Sequence, residues 1–386
     1  MKKTIVVLVW FLALPLLSQV RFSGSLQSSF YAFDTPLVEQ ANFYQALQLR
    51  LAPTGSLYLN TYARVAKIGE DDWNERVYNL YLNWAGSNNR LGLRAGRQFL
   101  YHGVMNGTYD GALLTLKPFQ PLTLKLFGGI EAPLDRSLEL LEWDEGNALG
   151  GQLSYQLPGS NNLDLSYFQR KRNDVTVWNL AGAALHGKFQ DVYYQAEYDY
   201  NLETERYQGM RYRLGYYLGK WAFSGEYSQQ KPRVFEDSFF RIFRAIAYNQ
   251  IRSGVTYQWG EYQLGAQYLF TDYETAESNQ AIFSLGNSWG FVGFVLQDGF
   301  GGDNAGIYGN IRYDLFPQLT IKLFSSYYNF EHYTTQISED ATAFSGGFDF
   351  RPFKSLSLQA EVQESINSYY DNDVRGLFRL FYYFRR

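Results

Sequence analysis

Apolar and polar residues alternate with a period of two along most of the chain. In Ser355–Glu364, for example, Leu356, Leu358, Ala360 and Val362 share one parity, and the residues between them are polar. Successive side chains of a strand point to opposite faces, so each such segment has one apolar and one polar face. Because the pattern leaves no segment for a separate core, it predicts an all-β protein that closes into a transmembrane barrel with an apolar outside and a polar inside.

Connectors of two kinds alternate between these segments. Short ones such as Gly219–Lys220 and Gly260–Glu261 alternate with longer polar ones such as Leu100–Thr108. Bacterial barrels have short periplasmic turns and longer extracellular loops, so the alternation predicts about 22 antiparallel strands. The connectors between Asn173 and Tyr217 are the hardest to place, and they leave about 18 or 20 strands as alternatives. A soluble sandwich or propeller would leave the aromatic faces of these strands without a common core.

The parity of each strand also predicts which side chains face lipid. In Gly260–Thr271, Leu264 and its parity mates point outward, whereas Gln263 and Gln267 point inward. In Val77–Trp84 the residues expected to face lipid are Tyr78, Leu80, Leu82 and Trp84.

The N-terminal segment is typical of a secretory signal. Lys2 and Lys3 precede the apolar stretch Ile5–Leu17, which predicts a signal peptide over residues 1–18. This stretch is shorter than the ~20 residues that a transmembrane helix needs. We therefore expect residues 19–386 to form one barrel domain in the outer membrane of a Gram-negative bacterium. The aromatic last strand, Val374–Phe384, resembles the signal that the barrel-assembly machinery reads, so this machinery and outer-membrane lipid are expected partners.

Composition and motifs argue against enzymes and nucleic-acid binders. The 33 Tyr, 30 Phe and 8 Trp suit membrane interfaces, and a net charge of −4 is too small to indicate a nucleic-acid partner. There is no cysteine, and His102, His186 and His332 lack metal or catalytic spacing. Carboxylates in predicted loops, such as Asp71 and Asp72, have a chemistry that suits calcium, but solvated acidic loops are common. We expect no catalytic residue, metal or cofactor.

Residues of inward parity are predicted to line the pore. They form a mixed lining, with a basic arc on the early strands, an acidic patch beside two arginines on the middle strands, and acids and bases together toward the end. Such charges set solute preference in pores. The alternative is that they have no selective role and only keep the lumen hydrated. The predicted pore-lining residues are Arg50, Arg64, Arg94, Arg97, Lys117, Lys125, Glu197, Asp199, Arg211, Arg213, Glu226, Lys322, Asp349, Arg351 and Glu361.

The predicted bore is wide, with a backbone radius of roughly 20 Å for about 22 strands. No N-terminal plug domain is expected, since the strand pattern starts directly after the signal peptide. A constriction could come from Lys231–Tyr248 or from Asp135–Glu145, and the alternative is that both segments are strands projecting above the membrane. In the first segment the possible constriction residues are Phe239, Phe240, Arg241, Phe243 and Arg244.

One stretch resembles a known family. Leu93–Gly111 reads LRAGRQFLYHGVMNGTYDG, and it is similar to the strand–loop–strand signature of the alginate-export-like outer-membrane porins. The matching residues are Gly96, Arg97, Gln98, Tyr101, Gly103, Asp110 and Gly111. Trp178–Tyr217 resembles the middle hairpins of the same group. The resemblance implies passive diffusion of solutes, in one branch of an anionic polysaccharide.

Two functional hypotheses follow. The first is a porin-like channel for ions or small hydrophilic solutes, with selectivity from the charged lumen. The second is a structural sheath that houses a partner protein in its lumen, such as a multihaem cytochrome. The chain has no haem-attachment motif, so any haem would belong to that partner.

Overall fold

The computed structural model describes residues 20–34, 39–231, 247–331, 337–368 and 370–386. These residues form 22 strands and one short 3-10 turn at Ser87–Asn89, and none of their helices is long and apolar enough to cross a membrane. The strands are β1 (Arg21–Asp34), β2 (Glu39–Ala52), β3 (Leu57–Ile68), β4 (Asn74–Ala85), β5 (Leu91–His102), β6 (Met105–Leu116), β7 (Leu122–Glu131), β8 (Asn147–Leu157), β9 (Asn161–Arg172), β10 (Val175–Phe189), β11 (Val192–Asn201), β12 (Arg206–Leu218), β13 (Trp221–Gln230), β14 (Tyr248–Trp259), β15 (Tyr262–Tyr273), β16 (Glu277–Asn287), β17 (Gly290–Gly299), β18 (Asn304–Phe316), β19 (Leu319–Glu331), β20 (Ser338–Phe353), β21 (Leu356–Asn367) and β22 (Tyr370–Arg385).

Two sets of predictions fall outside the described residues. One is the signal peptide over residues 1–18. The other is the set of possible constriction residues, Phe239, Phe240, Arg241, Phe243 and Arg244.

The strands close into a barrel. Each strand pairs antiparallel with the next one along the chain, and β22 returns to pair with β1. Phe30 of β1, for example, lies opposite Phe43 of β2 and opposite Phe378 of β22. Closure pairs the first strand with the last, which removes the two edges that an open sheet would have. The predicted count of about 22 strands is confirmed, and the two lower counts are wrong.

The two ends of the barrel differ as the connectors predicted. One end, which we call the turn end, carries tight turns such as Gly219–Lys220 and Gly260–Glu261. Gly219 and Gly260 have φ of +58° and +59°, a backbone conformation that glycine adopts without steric cost. The other end, the loop end, carries longer connectors such as residues 132–146 between β7 and β8. At this end Leu100–Thr108 was expected to be a loop, but β5 and β6 extend through it and leave only residues 103 and 104 between them.

The two faces of the wall follow from the register. Direct partners in an antiparallel ladder share a face. Gln359 on β21 pairs with Arg379 on β22, which pairs with Ser29 on β1, which in turn pairs with Tyr44 on β2. These four residues therefore share one face, and the same tracing continues around the barrel. The outward face carries large exposed apolar side chains such as Phe283, as lipid-facing barrel surfaces do. Gln263 and Gln267 belong to the inward face, as predicted.

The predicted orientation of Tyr78 is wrong. The register between β3 and β4 shifts next to Tyr62, which is the signature of a β-bulge at Tyr78. The Tyr78 ring stacks on Tyr62 with 5.1 Å between centroids, and the Arg64 guanidinium lies 5.6 Å from the Tyr78 centroid. Tyr62 and Arg64 face inward, so Tyr78 is also on the inner side. A bulge breaks the period-two rule because it inserts one extra residue into one strand.

The face assignment can be tested with a matched pair of arginine substitutions. Phe283 of β16 faces outward in the middle of the wall, and Gln267 of the neighbouring β15 lies at almost the same height on the inner face. Phe283→Arg should lower the free energy of unfolding by ~2–4 kcal/mol, since an arginine near the midplane of the hydrocarbon is poorly solvated. Gln267→Arg should have a much smaller effect. Urea unfolding in lipid vesicles measures both, and equal effects would contradict the assignment.

A hairpin folded into the barrel lumen as the candidate functional site

The hairpin of β5 and β6 leaves the barrel wall halfway along its length. The ladder between β4 and β5 ends at the pair Leu80–Arg97, although β5 continues to His102. On the other side, the ladder between β6 and β7 ends at the pair Tyr109–Glu131. The two strands of the hairpin stay paired with each other to its tip. The loop-end half of the hairpin is therefore detached from both neighbouring strands.

Glycines occupy the point where the hairpin bends. Gly96 has a φ of +118°, and a Cβ atom there would lie 2.3 Å from the carbonyl oxygen of Leu80. A Cβ atom on Gly111, directly opposite Gly96, would lie 2.4 Å from the carbonyl oxygen of Gly128. Only glycine permits such close backbone approaches. The sequence thus allows the bend on both strands at once.

The detached part of the hairpin lies against the inner face of β8, β9 and β10. The Val104 backbone N–H donates a hydrogen bond to Ser166 Oγ at 3.1 Å. A Cβ atom on Gly182 would lie 2.6 Å from Val104 Cγ1, and one on Gly150 would lie 2.8 Å from Met105 Sδ. Ser166, Gly182 and Gly150 all have inward parity. The hairpin therefore forms a second layer inside the barrel and narrows its lumen.

A buried apolar cluster fills the space between the hairpin and the wall. The Tyr109 ring lies 5.5 Å from that of Phe127 and 5.8 Å from that of Phe168, between centroids. Burial of apolar surface contributes about 25 cal/mol per Å², so this layer is held by the same effect as a soluble core. The members of the cluster are Leu100, Val104, Met105, Tyr109, Leu113, Phe127, Ala148, Phe168 and Leu180.

The stretch that resembles the alginate-export-like porins, Leu93–Gly111, spans the base and the tip of this hairpin. Its two halves are direct partners: Gly96 faces Gly111, and Arg97 faces Asp110. Gln98 is fully buried, and its Nε2 donates to the carbonyl oxygen of Gly111 at 3.1 Å. The motif residues thus have local structural roles as the bend, an ion pair and a backbone contact.

Arg97 does not line the pore, contrary to the prediction. It lies opposite Leu80, which faces outward, and its side chain is only 3% exposed. Its guanidinium forms a two-pronged ion pair with Asp110, with Nε–Oδ1 at 2.9 Å and Nη2–Oδ2 at 2.8 Å. The sequence signal was available, because Arg97 has the same parity as the lipid-facing Leu91 and Leu93.

The segment 132–146 covers the outward side of the hairpin base. Arg97 donates to the carbonyl oxygens of Arg136, Ser137 and Glu139, the last at 3.0 Å from Nη2. The Asp135 carboxylate accepts a hydrogen bond from the Ser137 backbone N–H at 2.9 Å, and this bond lowers the pKa of Asp135. The segment forms neither a helix nor a strand, and its contacts with Arg97 lie on the outward side of the wall, so neither the predicted constriction inside the pore nor the alternative of projecting strands describes it.

The segment 132–146 also pairs with the strand edge that the hairpin leaves behind. The Val77 backbone N–H donates to the carbonyl oxygen of Arg136 at 2.8 Å, and Arg97 Nη1 lies 3.4 Å from the carbonyl oxygen of Val77. Both polar groups of Val77 on the free edge of β4 are therefore satisfied.

The other predicted pore-lining residues are found at the inner wall or near its turn end. Lys117 is in the turn after β6, and Arg351 is close to the turn end of β20. The remaining ones have inward parity in their strands: Arg50, Arg64, Arg94, Lys125, Glu197, Asp199, Arg211, Arg213, Glu226, Lys322, Asp349 and Glu361.

Several acids of the lumen are neutralised by neighbouring bases. Glu226 forms ion pairs with Arg213 at 2.5 Å and with Arg211 at 3.8 Å, and Arg211 lies 3.9 Å from Glu197. Lys322 Nζ lies 2.7 Å from Asp349 Oδ2. These pairs leave little net charge on the strands that carry them.

The arginines of the early strands contact tyrosine rings instead of carboxylates. Arg50 lies over the Tyr58 ring at 3.9 Å from its centroid. Arg64 lies 5.1 Å from the Tyr44 centroid, and Arg94 lies 4.7 Å from that of Tyr81. Such cation–π contacts leave the positive charge uncompensated by an anion. Within the described ranges, none of these three arginines forms an ion pair, and the Nε atoms of Arg64 and Arg94 have no hydrogen-bond partner.

A cavity of about 580 Å³ separates the hairpin tip from the middle strands. Tyr101 and Asn106 border it from the hairpin, and Glu197, Asp199 and Arg211 border it from the wall. The charge of the lumen therefore differs between its two sides: uncompensated arginines on β2, β3 and β5, and mixed charges on β11 and β12.

Comparisons with known proteins find structures with a similar fold, but they do not identify a family. No protein-family model and no curated protein sequence matches the chain. Among solved structures, it is similar to the translocation pore of the P pilus usher PapC, with 11% identity, a TM-score of 0.52, and coverage of 94% of this chain and 99% of that one. It also matches OccK3 (OpdO) of Pseudomonas aeruginosa, with 13% identity, a TM-score of 0.45, and coverage of 97% and 99%. OccK1 (OpdK) of the same organism matches with 10% identity, a TM-score of 0.46, and coverage of 95% and 99%. At these identities the likeness concerns the barrel fold alone.

The bend can be tested by adding one methyl group. Gly96→Ala should lower the free energy of unfolding by ~1–3 kcal/mol, because alanine is strained at this φ and its Cβ atom would clash with the Leu80 carbonyl oxygen. Gly225→Ala is the control, since a Cβ atom there meets nothing within 4 Å. Urea unfolding in vesicles gives both values. A Gly96→Ala protein as stable as the control would show that the hairpin does not bend at this residue.

Proposed function

We propose that the chain is a channel of the bacterial outer membrane through which small hydrophilic solutes and ions diffuse passively, with a preference for anions. The observation that carries this proposal is the set of three lumen arginines, Arg50, Arg64 and Arg94, which have no carboxylate partner in the described part of the chain. They lie in a closed barrel with an apolar outer face, beside a hairpin that narrows the lumen.

Membrane location is supported by the wall itself. A barrel pairs the backbone groups of its strands internally, which is one of only two ways in which a chain can cross hydrocarbon. The outward face is apolar along the middle of the strands, whereas the inward face is mostly polar. A soluble protein would not expose a continuous band of Leu, Phe and Tyr side chains. The turn end is then expected to face the periplasm.

Anion preference is supported by the pattern of pairing rather than by the total charge. Ion pairs such as Arg213–Glu226 and Lys322–Asp349 cancel within the wall. Each of the three stacked guanidiniums adds a positive charge to the lumen, since arginine is the base that proteins keep charged. Their field extends over about a Debye length, ~8–10 Å, and it raises the local concentration of anions.

Two expectations stay predictions. One is that the barrel is a sheath that houses a partner protein in its lumen, and the other is that the barrel-assembly machinery inserts it. The in-folded hairpin takes up room that a lumenal partner would need, so the geometry supports the channel more than the sheath. Purification of the barrel without a stoichiometric lumenal protein would support the channel further.

Planar-bilayer recording of the purified barrel tests the proposal. A folded barrel should give unitary currents and a reversal potential that indicates anion preference in a salt gradient. A folded barrel that gives no unitary current would refute the channel function.

Removal of the three guanidiniums should reverse or weaken the ion preference. The combined change of Arg50, Arg64 and Arg94 to Gln should shift the reversal potential toward cation preference at 0.1 M salt and much less at 1 M, since the Debye length falls from about 10 Å to about 3 Å. The matched control is Lys322→Gln with Asp349→Asn, which removes a neutral pair and should leave the preference unchanged. An unchanged preference in the triple variant would contradict the assignment of these arginines.

A further inference from the structure

We propose that Arg97 sets the width of the channel from outside the lumen, by fixing the angle at which the β5–β6 hairpin enters the barrel. This inference rests on the proposed channel function. Arg97 is a positioning residue: it faces away from the lumen, and it acts through the hairpin that narrows the lumen.

The hairpin is fixed on two opposite faces. Its inward-parity side chains, such as Leu100 and Tyr109, belong to the apolar cluster against the inner wall. Arg97 and Asp110 occupy the opposite face, at the height where both outer ladders end. The apolar contact supplies adhesion without direction. The direction of the hairpin is instead determined where it leaves the wall. Gln98 bonds there within the hairpin, and the Ala132 backbone N–H donates to the Thr108 carbonyl oxygen at 3.0 Å, while Arg97 is the side chain that joins the hairpin to both β4 and the segment 132–146.

Arg97 connects three parts of the chain that have no continuous ladder between them. Nε and Nη2 bind Asp110 of the hairpin, Nη1 reaches the Val77 carbonyl oxygen of β4, and the loop 132–146 contributes three carbonyl oxygens. A guanidinium has five N–H donors in a rigid planar fork. It can therefore satisfy a carboxylate and several carbonyls at once, which a lysine ammonium cannot do in the same geometry.

Loss of this guanidinium removes the donors of the largely buried Asp110 carboxylate and of the Val77 and Ser137 carbonyl oxygens, whereas the Arg136 carbonyl oxygen keeps its bond from the Val77 backbone N–H. Such groups are expected to recover their hydrogen bonds from water, since a buried unpaired charge is unfavourable. Water at the base of the hairpin separates it from the loop 132–146 and from β4. The tip is then free to move away from Ser166 and Gly182, and the lumen widens.

The experiment records single channels of wild type, Arg97→Gln, Arg97→Lys and, as a matched control, Arg206→Gln, which removes an exposed arginine of β12 at the loop end. A two-stranded layer is about 10 Å wide and about 10 Å deep in a bore roughly 40 Å across, so it fills about a tenth of the cross-section, and release of the hairpin should raise the mean conductance about 1.1-fold and increase the current noise. Arg97→Lys should show part of this change, and Arg206→Gln none. An unchanged conductance and noise in a folded Arg97→Gln barrel would overturn the proposal.

A cysteine tether separates positioning from general damage to the fold. The chain has no cysteine, and a Cβ atom on Gly182 would lie 2.6 Å from Val104 Cγ1, so Val104→Cys with Gly182→Cys should form a disulfide that holds the hairpin tip at the wall. In the Arg97→Gln background the oxidised tether should restore the wild-type conductance, and its reduction should raise the conductance again. A raised conductance that persists with the tether closed would show that Arg97 acts elsewhere.

The same tether gives a readout that does not depend on conduction. Disulfide formation between the two positions should be slower in Arg97→Gln than in the wild-type background, measured by mobility on gels under a mild oxidant. If the wild-type barrel carried no current but this slowing occurred, the channel function would fail and the positioning role would stand. Equal rates of cross-linking would refute the positioning role whatever the currents show. If Arg97→Gln does not fold, Arg97→Lys supplies both comparisons.

Discussion

A strand edge inside a membrane must be paired, and the structure of this barrel depends on how that requirement is met beside one hairpin. Hydrocarbon offers no partner for a free backbone N–H or C=O, so a wall of strands is normally continuous. Here the β5–β6 hairpin leaves the wall above Leu80, and the edge of β4 would be left open. The loop 132–146 and Arg97 replace the missing strand at Val77. The narrowed lumen and the polar contacts on the outward side of the wall are therefore two consequences of the same bend.

The inner side of the bend has its own requirement. A hairpin inside a water-filled lumen would expose both faces to water unless one of them found an apolar surface. Leu113, Phe127 and Phe168 provide that surface on the inner wall, at positions where a barrel usually carries polar residues. Apolar side chains thus fill part of the lumen at this height, and the cavity beside the hairpin tip lies toward β11 and β12.

Much of this architecture could be predicted from period-two alternation, because alternation follows directly from the geometry of a strand. The strand number, the closure and most inside–outside assignments need nothing else. The in-folded hairpin was missed because Leu100–Thr108 is rich in the residues that end strands, although the apolar side chains of inward parity on β6, β7 and β9 were a usable signal. The parity of Arg97 was misassigned although Leu91 and Leu93 fix it. Tyr78 could not have been assigned, since a bulge shifts the parity and leaves no clear mark in composition.

Ion pairing across strands is the part of the site that sequence could not supply. Which acid meets which base depends on the register of neighbouring strands, and one residue of slip moves every side chain to the other face. Glu226 is compensated because its register places it beside Arg213, whereas Arg64 meets two tyrosines. A chain with a net charge of −4 can therefore present an uncompensated basic surface to its lumen. The field that a solute meets is determined by what each charge is paired with, and total charge carries no information about that.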